Sequence, residues 1–289
     1  MSESAPPSAL PTAALAERLR SVPGLMVRED EPMSRHCTWR VGGPAALWVV
    51  VETEEALLEA VGLIREANER VVPVDGQHLW IADGGADGVW LRLGACAEGI
   101  SREGLRLDVG AQTPVAALAS YAKRESLIGL ELYNHVSGTI AELLRRDEPP
   151  PTLVGVRVLR GGRLTEVVPG KLKDDHVIVR ARLELDPAQA LKGGRAPKRG
   201  PGLPGRLFLD PKKNHNAAEM MSELGLRGVR LRSARLGGYE PNTLINLGGA
   251  KENDLKVLIG MVKDRAKSHL GVDLNPELKP LGRSRRSDG

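Results

Sequence analysis

Residues 34–50 read SRHCTWRVGGPAALWVV. Polar residues lead through Trp39-Arg40-Val41 into the pair Gly42-Gly43, then Pro44 and a continuous apolar run. Such a glycine pair either turns the chain between strands or lets backbone approach an anion closely. The segments that follow set the fold class. ALWVVVE reads as a buried strand, and TEEALLEAVGLIREANER has Thr53 at a helix N-cap with Ala56, Leu57, Ala60, Val61 and Ile64 on one face. VVPVD and GVWLRL are two more strands around the turn DGGADG. GLRLDVG is another, and Thr113-Pro114 opens the helix VAALASYAKRESL. Alternation of this kind is α/β.

The rest of the chain departs from that rhythm. A short helix is expected from Ile140 to Arg146, stopped by the prolines of DEPPP. TLVGVRVLRGGRLTEV reads as a β-hairpin turning at Gly161-Gly162, and HVIVRARLELD as a further strand. LKGGRAPKRGPGLPG, dense in Gly, Pro and cations (Lys192, Arg195, Lys198, Arg199), reads as a linker or loop. Beyond it NHNAAEMMSELGLRG is a helix closed by Gly225, and NTLINLGGA a strand and turn. A long helix from about Lys251 to Leu270 places Leu255, Leu258, Ile259, Val262 and Ala266 on one face and stops at Gly271. This second part is α+β.

Composition narrows the functional classes. Hydrophobic residues are 41% of the 289, enough for packed cores, and with one Phe those cores must be aliphatic. The net charge of +4 and pI near 9.1 suit an anionic small molecule, and no concentrated basic stripe points to nucleic acid. Two cysteines, Cys37 and Cys96, make neither a disulfide framework nor a structural zinc site, and the six histidines show no metal-ligand spacing, so no metal is expected. His36-Cys37 lacks a third group to orient it as a nucleophilic pair. The first residues show no signal-peptide pattern and no apolar run reaches the roughly 20 residues of a membrane span, so a cytoplasmic protein is expected.

Three segments in fixed order carry a family resemblance. They are SRHCTWRVGGPAALWVV with its following helix and VVPVDG, then GVRLRSARLGGYEPNTLINLGGAKENDLKVLI at 228–259, then GVDLNPELKPLG at 271–282. Together they resemble the UDP-N-acetylenolpyruvoylglucosamine reductases (MurB), flavoenzymes of peptidoglycan precursor synthesis, over roughly residues 30 to 282. The resemblance implies a flexible tail at 1–22 and a two-lobed FAD-binding domain of the FAD-linked oxidase (PCMH) type at 23–188, its lobes meeting near 95. A MurB C-terminal-like α+β domain at 189–282 and a basic tail at 283–289 complete it. It implies FAD and NADPH as cofactors, and a UDP-N-acetylglucosamine-type nucleotide sugar as substrate. In the implied reaction hydride passes from NADPH to FAD and on to the enolpyruvyl double bond, a serine protonates the neighbouring carbon, and a glutamate and an arginine orient the enolpyruvyl group.

Carried over residue by residue, the family's cofactor-binding positions fall on Arg40, Gly42, Gly43, Gly76, Gly138 and Thr139, its substrate-binding positions on Asn242 and Asn246, and its catalytic glutamate on Glu277. Elsewhere the pattern changes. In VDGQHLWIAD the family's Ser-Asn pair is Gln77-His78, and Asp75 adds charge beside the expected diphosphate. Two like charges at about 4 Å repel by about 4 kcal/mol at an effective dielectric of about 20. In NHVSGTIAELLRRDEPPP the family's Gly-Gly becomes Ala141-Glu142 and its Asn-Ala-Gly-Ala turn is absent. The Tyr-Arg-x-Ser motif gives way to VPGKLKDDH, with Lys171 and Lys173 as the available cations. In the string Gly205-Arg206-Leu207-Phe208-Leu209-Asp210-Pro211 the serine position holds Arg206. Core segments match while functional positions differ. The pattern therefore suggests a pseudoenzyme with a regulatory or scaffolding role; the alternatives are a working reductase using Tyr239 or His78 as proton donor, or a nucleotide-sugar binder without flavin. A cell-wall synthesis protein is the expected partner of the first.

Overall fold

The computed structural model describes residues 12–134, 136–145, 149–187, 206–211 and 216–281. Residues 1–11 of the N-terminal tail, the cationic stretch with Lys192, Arg195, Lys198 and Arg199, the border expected near 189 and the basic C-terminal tail lie outside the described residues. The chain forms two compact units. The first takes residues 1–31, 45–75 and 87–200; the second takes 32–44, 76–86 and 201–289.

In the first unit one sheet orders Leu25–Pro32, Pro44–Val51, Ala86–Leu93 and Val71–Val74, the last two parallel. Helix Glu54–Glu66 forms where the sequence places it. Thr53 accepts a hydrogen bond from Ala56 N (3.1 Å), two glutamates occupy the first turn, and Ala56, Leu57, Ala60, Val61 and Ile64 are buried. Helix Thr12–Arg20 joins it through Arg18–Glu66 at 2.6 Å. A second sheet orders Arg163–Val167, Leu153–Arg160, Val177–Glu184, Arg106–Gly110 and Ile100–Glu103, all antiparallel. Its hairpin closes at Arg160 opposite Arg163, and Gly161 and Gly162 both have positive φ, as a two-residue type I′ loop demands. Helix Val115–Arg124 and the short helix Ile140–Leu144 complete this part; the latter ends two residues before the expected Arg146.

The second unit is built around helix Glu252–Leu270, whose Leu255, Leu258, Ile259, Val262 and Ala266 are buried with Trp39, Trp80, Leu207 and Phe208. Gly271, at φ 67°, ends the helix by donating back to Lys267 O. Strands Arg230–Leu231, Ala234–Leu236 and Leu244–Asn246 form a small antiparallel sheet, and Trp80–Ile81 pairs in parallel with Pro280–Leu281.

Gly42-Gly43 finds its explanation in this unit. A Cβ on Gly42 would lie 2.5 Å from Ile81 Cβ, and one on Gly43 would lie 2.5 Å from Asp83 O and 2.6 Å from Gly85 N. Gly43 N also donates to Ala82 O at 2.9 Å. The side-chain faces of both glycines are therefore filled by the chain's own segment 81–85. Gly43→Ala is expected to cost about 1–3 kcal/mol, the usual range for forced overpacking. Gly62→Ala, in mid-helix with nothing within 4 Å of the added carbon, should instead gain up to about 1 kcal/mol. Urea unfolding of both variants checks the contrast, and equal effects would contradict it.

Candidate functional site

Residues far apart in sequence meet in the second unit because Arg206–Phe208 is paired on both sides. On one side Arg206 bridges Thr243, Leu207 N donates to Asn242 O (2.8 Å), and the Asn242 amide both accepts from Phe208 N and donates to Phe208 O (2.9 Å each). On the other, Phe208 bridges Pro276, and Glu277 N donates to Leu207 O at 3.0 Å. Arg206 and Glu277 are thereby brought together, with Nε and Oε2 3.6 Å apart. Asp210 stands on the other flank, 3.5 Å from Arg206 Nη1, while its second oxygen accepts from Ala217 N at the start of helix Ala217–Glu223. Arg206 and Asp210 border a pocket of about 170 Å³ with Asn216, Glu240, Asn242 and Thr243 on its walls.

The two asparagines are committed to the fold. Asn242 is 3% exposed and its amide is used on Phe208. Asn246 donates to Trp39 O (2.9 Å) and Arg40 O (3.2 Å), and its oxygen accepts from Gly248 N and Ala250 N. Arg40 itself takes a positive φ of 51° and has an exposed side chain. Tyr239, one of the substitute proton donors weighed above, is 95% exposed. Cys37 is buried, donates to Val41 O and has its thiol pushed up by burial; Cys96 is pushed up to about 11 by burial, with Glu52 and Glu54 adding to it. Neither is an activated thiolate.

Of the positions assigned to the cofactor, Arg40, Gly42, Gly43 and Gly76 belong to the second unit, Gly138 and Thr139 to the first. In the first unit the expectation for Asp75 needs correction. Its carboxylate pairs with Arg145 at 2.6 Å, so its charge is answered from within the chain. Burial pushes Asp75 up and Arg145 opposes that push. Arg145 also donates to Lys173 O (2.5 Å) and His176 O (2.6 Å), which ties down the loop where the family motif is missing. Sequence reading missed this arginine because nothing local marks its partners.

His176, 1% exposed, closes the same loop by accepting from Lys173 N at Nδ1 (3.3 Å). Burial lowers its pKa, with Arg160, Arg145 and Lys173 adding to the effect and Asp175 opposing it. The unfolded chain therefore binds this proton more readily than the folded one. The stabilising contribution is fully present above the ordinary value of 6.5 and is lost as pH falls through the folded value. Urea midpoints measured from about pH 8 down to about pH 5 should fall more for the parent protein than for His176→Gln; identical slopes would contradict this. In the second unit, Arg206→Leu should cost about 1–3 kcal/mol by removing a cation from beside the mostly buried Glu277 carboxylate, and adding Glu277→Leu should recover much of it. Denaturant titration of the single and double variants measures the difference.

Among the described residues no helix is long and apolar enough to cross a membrane, and no cluster of His, Cys, Asp and Glu is placed to hold a metal ion. Residues 200–281 match the model of the UDP-N-acetylenolpyruvoylglucosamine reductase C-terminal domain. UDP-N-acetylenolpyruvoylglucosamine reductase 2 of Symbiobacterium thermophilum is 30% identical, over 93% of this chain and 97% of its own length. The reductase of Rubrobacter xylanophilus is 29% identical, over 88% and 94%. Among solved structures, UDP-N-acetylenolpyruvylglucosamine reductase (MurB) from Thermus caldophilus superposes with a TM-score of 0.68 at 24% identity, over 89% of this chain and 99% of that one. That likeness supports the expected fold class, an α/β part of the FAD-linked oxidase type followed by the α+β C-terminal domain. The chain belongs to the UDP-N-acetylenolpyruvoylglucosamine reductase family.

Proposed function

We propose that this protein acts in cytoplasmic peptidoglycan precursor metabolism as a non-reducing member of its family, in a regulatory or scaffolding role toward a cell-wall synthesis protein. One observation carries the reading. The position that the family resemblance gives to a proton-donating serine holds the Arg206 guanidinium, set between Glu277 and Asp210. A guanidinium does not release its proton at working pH, and removing a positioned general acid typically costs a factor of about 10² to 10⁴. Glu277 keeps its family position but faces the Arg206 guanidinium there, with Nε and Oε2 3.6 Å apart. The names of the relatives support a UDP-sugar as the ligand class, and the pocket beside Arg206 offers it polar groups of both signs.

The likeness to reductases along some nine-tenths of the chain favours a second reading, a working UDP-N-acetylenolpyruvoylglucosamine reductase using NADPH and FAD. Incubating the purified protein with NADPH and the enolpyruvyl nucleotide sugar separates the two. No sugar-dependent NADPH oxidation is expected, either from the parent protein or from Arg206→Ser. A measurable rate in the parent establishes the second reading, whereas one in Arg206→Ser alone would leave the parent non-reducing and show that the arginine by itself blocks turnover. A rise in melting temperature with UDP-N-acetylglucosamine would identify retained sugar binding.

A further inference from the structure

We infer that this chain does not hold FAD, because its own carboxylate, hydroxyl and carbonyl groups occupy the backbone donors of residues 139–143, beside the family's cofactor positions Gly138 and Thr139. The inference concerns the first unit and is independent of Arg206. A dianion is held at a helix start by backbone N–H groups that point outward and have no other partner. At 139–143 each of those groups is already engaged. Thr139 N donates to Glu142 Oε2 (3.0 Å), Ile140 N to Thr113 O (3.0 Å) and Ala141 N to Ala111 O (2.8 Å). Glu142 N donates to Thr139 Oγ1 (3.2 Å) and Leu143 N to Thr139 O (3.0 Å).

The Thr139 side chain is equally committed. Its hydroxyl accepts from Glu142 N and donates to Asp75 O at 2.5 Å. Thr139 and Glu142 thus form a reciprocal capping box. The place at the helix start that favours negative charge holds the Glu142 carboxylate, and an anionic cofactor approaching there would meet that charge and the bulk of the side chain. The cation nearest in this network, Arg145, is bound to Asp75 and to two loop carbonyls. The residues present therefore do not fit the cofactor that the family implies.

Two measurements on the full chain test the inference. The protein as purified should be colourless, and titration with FAD should change neither flavin fluorescence nor melting temperature. Separately, Glu142→Ala should lower the melting temperature, since the capping box is in use. Stoichiometric flavin carried through purification, or saturable FAD binding, would overturn the inference, and so would a melting temperature that Glu142→Ala leaves unmoved. Flavin binding without turnover would defeat this inference and leave the non-reducing reading intact. Sugar-dependent turnover would defeat that reading directly.

Discussion

The paired hydrogen bonds between the Asn242 amide and the Phe208 backbone are the constraint on which the site depends. Both are buried, where a lost partner costs most. They hold Arg206–Phe208 against Asn242-Thr243, and the opposite edge of the same segment holds Pro276-Glu277. With the backbone fixed on both sides, the side chain at 206 has to face Glu277. On the proposed reading, the identity of that side chain then decides the chemistry. An uncharged hydroxyl leaves a proton to give; a guanidinium forms an ion pair instead.

The second unit draws on three separate stretches of chain, and polar groups as well as apolar packing join them. Asp83 accepts from Glu252 N, and Glu252 accepts from Asp83 N, each at 3.0 Å. Asp83 thereby caps the long helix from a distant segment, and its charge suits that helix start. Asn246 ties the strand Leu244–Asn246 to Trp39 and Arg40. Trp39 meets Trp80 edge to face at 5.8 Å. The glycine pair lies within this assembly, and its lack of side chains serves the close contact with residues 81–85. A loop that looks made for a phosphate is accounted for by packing.

Much of this was legible in the sequence where the signal is local. The period of Leu255, Leu258, Ile259, Val262 and Ala266 gave the long helix, Gly271 its end, Thr53 the start of helix Glu54–Glu66, and Gly161-Gly162 the hairpin turn. The register of GRLFLDP against the family puts Arg206 at the expected serine position, and the fold sets its Nε 3.6 Å from Glu277 Oε2. The Asp83–Glu252 exchange, between residues 169 apart, and the Asp75–Arg145 pair left no periodic trace, so neither was anticipated. Charge at Asp75 was legible; its neutralisation by Arg145 was not. Thr139-x-x-Glu142 has the spacing of a capping box, a local signal, and the fold uses it as one.

On the proposed reading, the family's fold persists here and an ion pair stands where the family's proton donor would be. The most direct measurement is replacement in a living cell: this chain expressed in a bacterium depleted of its own reductase, with accumulation of soluble, folded protein confirmed. The account predicts no recovery of growth, with the enolpyruvyl nucleotide sugar accumulating behind the block. Restored growth, with the reduced nucleotide sugar formed, would contradict it.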